Sequence, residues 1–256
     1  MPPAKRIIKR VFSCFYFLDS MSEIIPAIMP RSFTELRESV EFMSGLADTI
    51  QIDVMDGIFV PEKSWPYTDG DYEGFLRLIK EGHGFPQNEF VDIEADLMIK
   101  NSEREVLPWV RAGARRIVVH FEEVSTLDRA VSLFKDHAPA RERPDAFSKP
   151  AELGVALHID TPHEVLAPWM RDFSFVQFMG IARIGFQGEP FDERVLEKIS
   201  AFRAEYPDVT ISVDGGVSLK TAPRLIAAGA NRLVAGSAIW KSEDIEETIS
   251  KFKVLK

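Results

Sequence analysis

Short apolar runs recur along this chain, and amphipathic stretches fill the gaps between them. Eight runs read as strands, at residues 24–29, 49–55, 90–97, 116–120, 154–159, 175–179, 209–213 and 232–235. They are short and rich in β-forming residues. Helical spacing marks residues 34–46, 102–112, 125–135, 162–169, 193–206, 219–228 and 243–252. Leu196, Ile199 and Phe202, for example, fall on one helical face. Ala112-Gly113-Ala114 and Ala228-Gly229-Ala230 each stand between a helix and the next strand. Glycine suits a helix C-terminus there, because a left-handed residue costs it little. Eight β units alternating with helices predict an α/β fold, a (β/α)8 TIM barrel. The rival is a doubly wound open sheet. No Gly-x-Gly-x-x-Gly turn follows the first strand, which weakens a dinucleotide-binding version of it.

The longest irregular stretches are residues 58–71 and 137–151. The second carries Pro139, Pro144 and Pro150 among many charges and is assigned to solvent at the N-terminal face, with no catalytic role. At the start of the chain, Lys5, Arg6, Lys9 and Arg10 precede an apolar run at residues 11–18. That run is too short to span a bilayer and no small-x-small cleavage pattern follows. Residues 1–20 are therefore read as a leader or a misassigned start, with residues 21–256 forming a single barrel domain.

A chain of 256 residues can bury a substantial core. The net charge of -9 argues against a nucleic-acid partner held by its phosphates, and no membrane partner is expected. One phosphate group is still accessible to backbone dipoles. Cys14 is the only cysteine, so an intrachain disulfide and a cysteine-rich metal site are both excluded. A reducing cytoplasm is the expected location. Oligomeric state is open, a homo-oligomer included.

Barrel active sites lie at the C-terminal ends of the strands. Those ends hold Gln51, Asp53 and Met55, then Asp96 and Met98, then His120 and Glu122, then Met179 and Asp214. Gln51 and Asp53 are two apart and share a face. Three carboxylates with an amide at one point would repel unless a cation joins them or a carboxyl keeps its proton. An oxygen-only set prefers Mg²⁺ or Mn²⁺ over Zn²⁺ or Fe²⁺. For Gln51 and Asp96 a plainer reading stands equally: a hydrogen bond inside the barrel, or a pair with a surface lysine. Met55, Met98 and Met179, with His120, are candidates for the substrate pocket; methionines also fill ordinary cores. Asp214-Gly215-Gly216-Val217 and Ala235-Gly236-Ser237-Ala238 follow the last two strands, where barrels often bind phosphate. Gly215, Gly216, Gly236 and Ser237 are the candidate phosphate ligands, with Gly188 from the glycine-rich loop 179–191, a candidate lid.

Taken together, Asp53-Val54-Met55-Asp56-Gly57 with Phe59-Val60-Pro61, Val119-His120-Phe121-Glu122, Gly185-Phe186-Gln187-Gly188, Val213-Asp214-Gly215-Gly216-Val217 and Ala235-Gly236-Ser237-Ala238-Ile239 resemble the ribulose-phosphate 3-epimerase family. The resemblance implies a ribulose-phosphate-binding barrel. It implies inversion of a carbon beside a ketone, most directly D-ribulose 5-phosphate to D-xylulose 5-phosphate, through an enediolate. Asp53 and Asp214 would be the two catalytic acids on opposite faces of the substrate. It also implies a divalent metal, at positions occupied here by Gln51, Asp53, Asp96 and Asp214. Two of those positions are histidines in the family, Ala27 replaces a serine, and the lid lacks an Asn-Pro step. The small phosphorylated sugar is the expected partner. Two alternatives stay open: a non-catalytic phosphosugar-binding relative, and an epimerase of a hexulose phosphate. A lyase is weaker: no lysine stands at the ends of strands two, three, six or seven, although Lys100 closely follows strand three.

Overall fold

The computed structural model describes residues 22–68, 70–87, 90–123, 127–137 and 150–255. The proposed leader lies outside the described residues, as does most of the proline-bearing stretch 137–151. Eight parallel strands close into a barrel in sequence order: β1 (Glu23–Ile28), β2 (Thr49–Met55), β3 (Asp92–Met98), β4 (Arg116–His120), β5 (Glu152–Leu157), β6 (Phe175–Met179), β7 (Thr210–Asp214) and β8 (Arg232–Ala235). Helices α1 (Phe33–Met43), α2 (Tyr72–Glu81), α3 (Val106–Ala112), α4 (Leu127–His137), α5 (Arg194–Glu205), α6 (Ala222–Ala228), α7 (Ser237–Trp240) and α8 (Ile245–Lys253) surround it. No helix among the described residues is long and apolar enough to cross a membrane.

The barrel corrects the sequence reading in several places. Helix α2 was not anticipated; it buries Phe75 and Leu78, with Tyr72 and Ile79 packed beside them. The third strand begins at Asp92, and Phe90 is left 71% exposed. Residues 163–169 form a 3₁₀ helix, with Pro168 inside it. A proline has no N–H to give an α-helical ladder.

Successive side chains of a strand point to opposite faces. On β2, Ile50, Ile52 and Val54 join the layer under the helices; on β3, Ile93, Ala95 and Leu97 do the same. The alternate set turns inward. It comprises Thr49, Gln51, Asp53 and Met55 on β2, and Glu94, Asp96 and Met98 on β3, all buried. The barrel interior is thus polar at both ends.

At the N-terminal end, Arg116 grips both oxygens of Glu23 at 3.0 Å each. Arg232 donates to Glu152 at 3.0 Å and lies over the Phe175 ring. Glu94 is fully buried, with Arg116 3.6 Å away. Burial pushes its carboxyl up to about 7 against the pull of the two arginines. Removing one member of a buried charge network strands its partners. Arg116→Leu should therefore destabilise the fold by about 3–5 kcal/mol in denaturant unfolding; a loss near zero would show that the cluster is solvated.

Candidate active site

The functional end is the C-terminal mouth, where β2, β3 and β7 deliver three aspartates. The register of β2 against β3 sets Asp53 directly beside Asp96. Asp214 is the last residue of β7. Asp53, Asp96 and Asp214 each present an oxygen within 4.8 Å of the others.

One side chain ties two of them together. The amide nitrogen of Gln51 donates to Asp53 Oδ1 at 2.8 Å and to Asp214 Oδ2 at 2.9 Å. Gln51 is wholly buried, and its Oε1 has no hydrogen-bond partner. Asp96 is held separately. His120 Nε2 lies 3.0 Å from one of its oxygens, and Gln177 Nε2 donates to the other at 3.1 Å. Ser212 in turn donates to Gln177 Oε1 at 3.2 Å. The chain Ser212–Gln177–Asp96–His120 thus crosses the barrel just under the mouth.

Burial, and then the neighbouring carboxylates, hold Asp53 well above the usual carboxylate range. The same causes raise Asp214 to about 7, opposed by the Gln51 hydrogen bond and by His120. Burial disfavours protonation of His120, but Asp96 outweighs it and keeps the imidazole above its ordinary range.

The backbone carrying Asp53 is pinned from outside. The buried Ser64 hydroxyl donates to the Asp53 carbonyl at 2.6 Å and accepts the Met55 N–H at 2.9 Å. The loop after β2 folds back on the strand through these bonds. Asp56 ties it further by accepting from the Ile58 and Phe59 N–H groups and from Lys100 N–H.

Asp53 and Asp214 line a cavity with Ala27, Met98, Met179 and Glu189; Gly188, Gly215, Gly216, Gly236 and Ser237 line it too. Gly215 and Gly216 have φ of 91° and 68°, which only glycine adopts cheaply. A Cβ on Gly215 would strike Ile181 at 2.7 Å, and one on Gly216 would strike Phe191 at 2.8 Å. The lid, residues 180–191, therefore packs directly on the Asp214-Gly215-Gly216 turn. The Gly216 and Ser237 N–H groups donate to no described backbone acceptor.

Two candidates for the pocket sit elsewhere. His120 is fully buried beneath the cavity, against Asp96 and the edge of Phe59. Met55 packs with Val60 and Met98 under the β2 loop. Glu122 turns away to accept the His158 N–H at 2.8 Å. Lys100 reaches Glu123 at 3.7 Å and does not line the cavity. Ser64, Gln177 and Ser212 were missed by the sequence reading. Gln177 and Ser212 had one usable signal, polar residues at inward positions of otherwise apolar strands.

The donor set suits a hard divalent cation. Three clustered carboxylates carry more negative charge than His120 offsets, and all ligands would be oxygens. A half-turn of the Gln51 amide exchanges its nitrogen and oxygen, so the unpartnered Oε1 is a fourth candidate donor.

A family model described as the ribulose-phosphate 3 epimerase family matches residues 23–240. Ribulose-phosphate 3-epimerase of Bacillus subtilis (strain 168) is 32% identical over 239 residues, covering 91% of this chain and 99% of its own. The chloroplastic ribulose-5-phosphate-3-epimerase of Arabidopsis thaliana is 32% identical over 246 residues, covering 93% of this chain and 79% of its own. Among solved structures, 3-keto-L-gulonate-6-phosphate decarboxylase from Vibrio cholerae superposes with a TM-score of 0.65 at 12% identity, over 91% of this chain and 96% of that one. The 3-hexulose-6-phosphate synthase from Salmonella typhimurium gives 0.62 at 15% identity, over 91% and 97%. At such identity those two share the fold alone. By the extent of the family match, the chain belongs to the ribulose-phosphate 3-epimerase family of carbohydrate isomerases.

Proposed function

We propose that this protein epimerises a ketose phosphate, D-ribulose 5-phosphate to D-xylulose 5-phosphate, with Asp53 and Asp214 as the paired acid and base. The observation that carries the proposal is the single Gln51 amide bonded to both carboxylates at the cavity floor. Inversion beside a ketone needs a base on one face and an acid on the other. Both groups must be within reach of one carbon. Two buried carboxylates this close cannot both ionise freely, so the pair naturally holds one proton. One aspartate takes the proton from C3, the electron pair moves into the enediolate, and the other aspartate returns a proton on the far face. The roles exchange in the reverse direction.

Met98 and Met179 line the cavity beside the two acids and would flank the sugar with an apolar surface. Ala27 leaves no hydroxyl at its strand end. Backbone N–H groups at Gly188, Gly215, Gly216, Gly236 and Ser237 would receive the phosphate. Closure of loop 180–191 would keep water from the enediolate. Asp53, Asp96 and Asp214, with the Gln51 oxygen, would hold a divalent cation, Mg²⁺ or Mn²⁺ by donor type. Such an ion supplies positive charge that lowers the cost of negative oxygens on the substrate. The single cysteine is consistent with a cytoplasmic setting.

Asp53→Asn and Asp214→Asn should each lower turnover about 10²–10⁴-fold while D-ribulose 5-phosphate still binds. Full activity in both variants would reject these roles. Titration of Mn²⁺, followed by its electron paramagnetic resonance signal, should show one strong site that weakens in Asp96→Asn. An unchanged isotherm would remove Asp96 from the ligand set.

A further inference from the structure

The phosphate end of the cavity raises a charge problem. The chain carries a net charge of -9, and Asp53, Asp214 and Glu189 all line the cavity. A dianionic phosphate entering there binds more tightly if a cation stands beside the backbone donors. Helix α7 is one turn of four residues, too short to gather an appreciable macrodipole. Arg183 is already committed, holding Glu189 through two bonds of 3.0 and 2.6 Å.

Lys241 is not committed. It follows α7, its side chain is exposed, and its ammonium makes no hydrogen bond or ion pair with any described residue. A Cβ built on Gly188 would lie 3.9 Å from Lys241 Nζ and 4.0 Å from Ser237 Oγ. The ammonium and the hydroxyl therefore converge on one spot at the cavity rim. Gln187, next in the lid, approaches from the other side. Its Nε2 lies 3.1 Å from where a Cβ on Gly236 would be, and it too donates to no described residue. Two free side-chain donors thus bracket the Gly188, Gly236 and Ser237 backbone.

We infer that Lys241 and Gln187 are specificity-determining residues: Lys241 supplies the charge that selects a phosphorylated sugar, and Gln187 adds a lid-borne amide to the same phosphate. This inference rests on the phosphosugar reading above. It places a side-chain cation on the phosphate, in addition to backbone groups. The ammonium sits at the far end from the reacting carbon, so it acts on binding and leaves the proton transfers alone.

The test compares wild type with Lys241→Met and Lys241→Arg, using inorganic phosphate, D-ribulose 5-phosphate and D-ribulose as probes. A charge-assisted contact of this kind predicts about a tenfold loss of affinity for inorganic phosphate in Lys241→Met. KM for D-ribulose 5-phosphate should rise by a similar factor with kcat little changed. Lys241→Arg should restore both, and the weak use of unphosphorylated D-ribulose should be the same in all three proteins. Gln187→Ala should give a smaller rise in KM. Equal phosphate affinity and KM in wild type and Lys241→Met would overturn the inference and leave the epimerase reading standing. A wild type that binds neither inorganic phosphate nor D-ribulose 5-phosphate would overturn both.

Discussion

Everything at the mouth of this barrel depends on two acids being held against a shared donor. Asp53 and Asp214 come from strands separated by more than half of the chain, and like charges resist such proximity. The Gln51 amide offsets part of that repulsion with a hydrogen bond to each. Closing the barrel brings β2 and β7 to one small cavity, where the Gln51 amide reaches both acids. The acids keep their separation because β2, β7 and the Ser64 clasp leave little freedom in the backbone.

Polar groups elsewhere in the interior follow the same logic. The barrel places its second buried acid system at the other end, where Arg116 and Arg232 offset Glu23, Glu94 and Glu152. That end has salt partners and carries no chemistry. At the mouth, one imidazole faces three aspartates, and raised carboxyl affinities follow. The excess negative charge is what a proton or a divalent cation would relieve. Ser212, Gln177 and His120 hold Asp96 below, and of the three aspartates Asp53 and Asp214 line the cavity. Local electrostatics thus set Asp53 and Asp214 apart, each raised by burial and by neighbouring carboxylates.

Much of this was legible in the chain. The eight strands stand out because runs such as Thr49–Met55 and Phe175–Met179 are short, apolar and spaced by helical patterns. Asp53 and Asp214 could be singled out because each sits near the end of such a run, ahead of a glycine-bearing turn. Helix α2 was missed although Tyr72, Phe75, Leu78 and Ile79 recur at helical spacing and all pack on the core. The start of β5 was hidden because Glu152, its first residue, is charged; it belongs to the barrel's ion cluster and reads as loop. His120 looked like a pocket residue because it ends a strand, yet it is buried against Asp96 and the Phe59 ring. Whether Gln51 met a metal or a carboxylate could not be read from spacing, since that depends on which side chains face it across a closed barrel. Lys241 and Gln187 lie in turns whose approach is set by tertiary packing.

The most direct measurement is the fate of the proton at C3 when the reaction runs in D₂O from a protiated substrate, followed at early conversion by nuclear magnetic resonance. Two carboxyl groups on opposite faces, one ionised and one carrying a solvent-exchanged deuteron, predict that the epimeric product gains solvent deuterium while recovered substrate keeps its protium. Deuterium entering recovered substrate as quickly as product, or protium carried intact into the product, would mean that one group serves both faces and would contradict the paired-acid site.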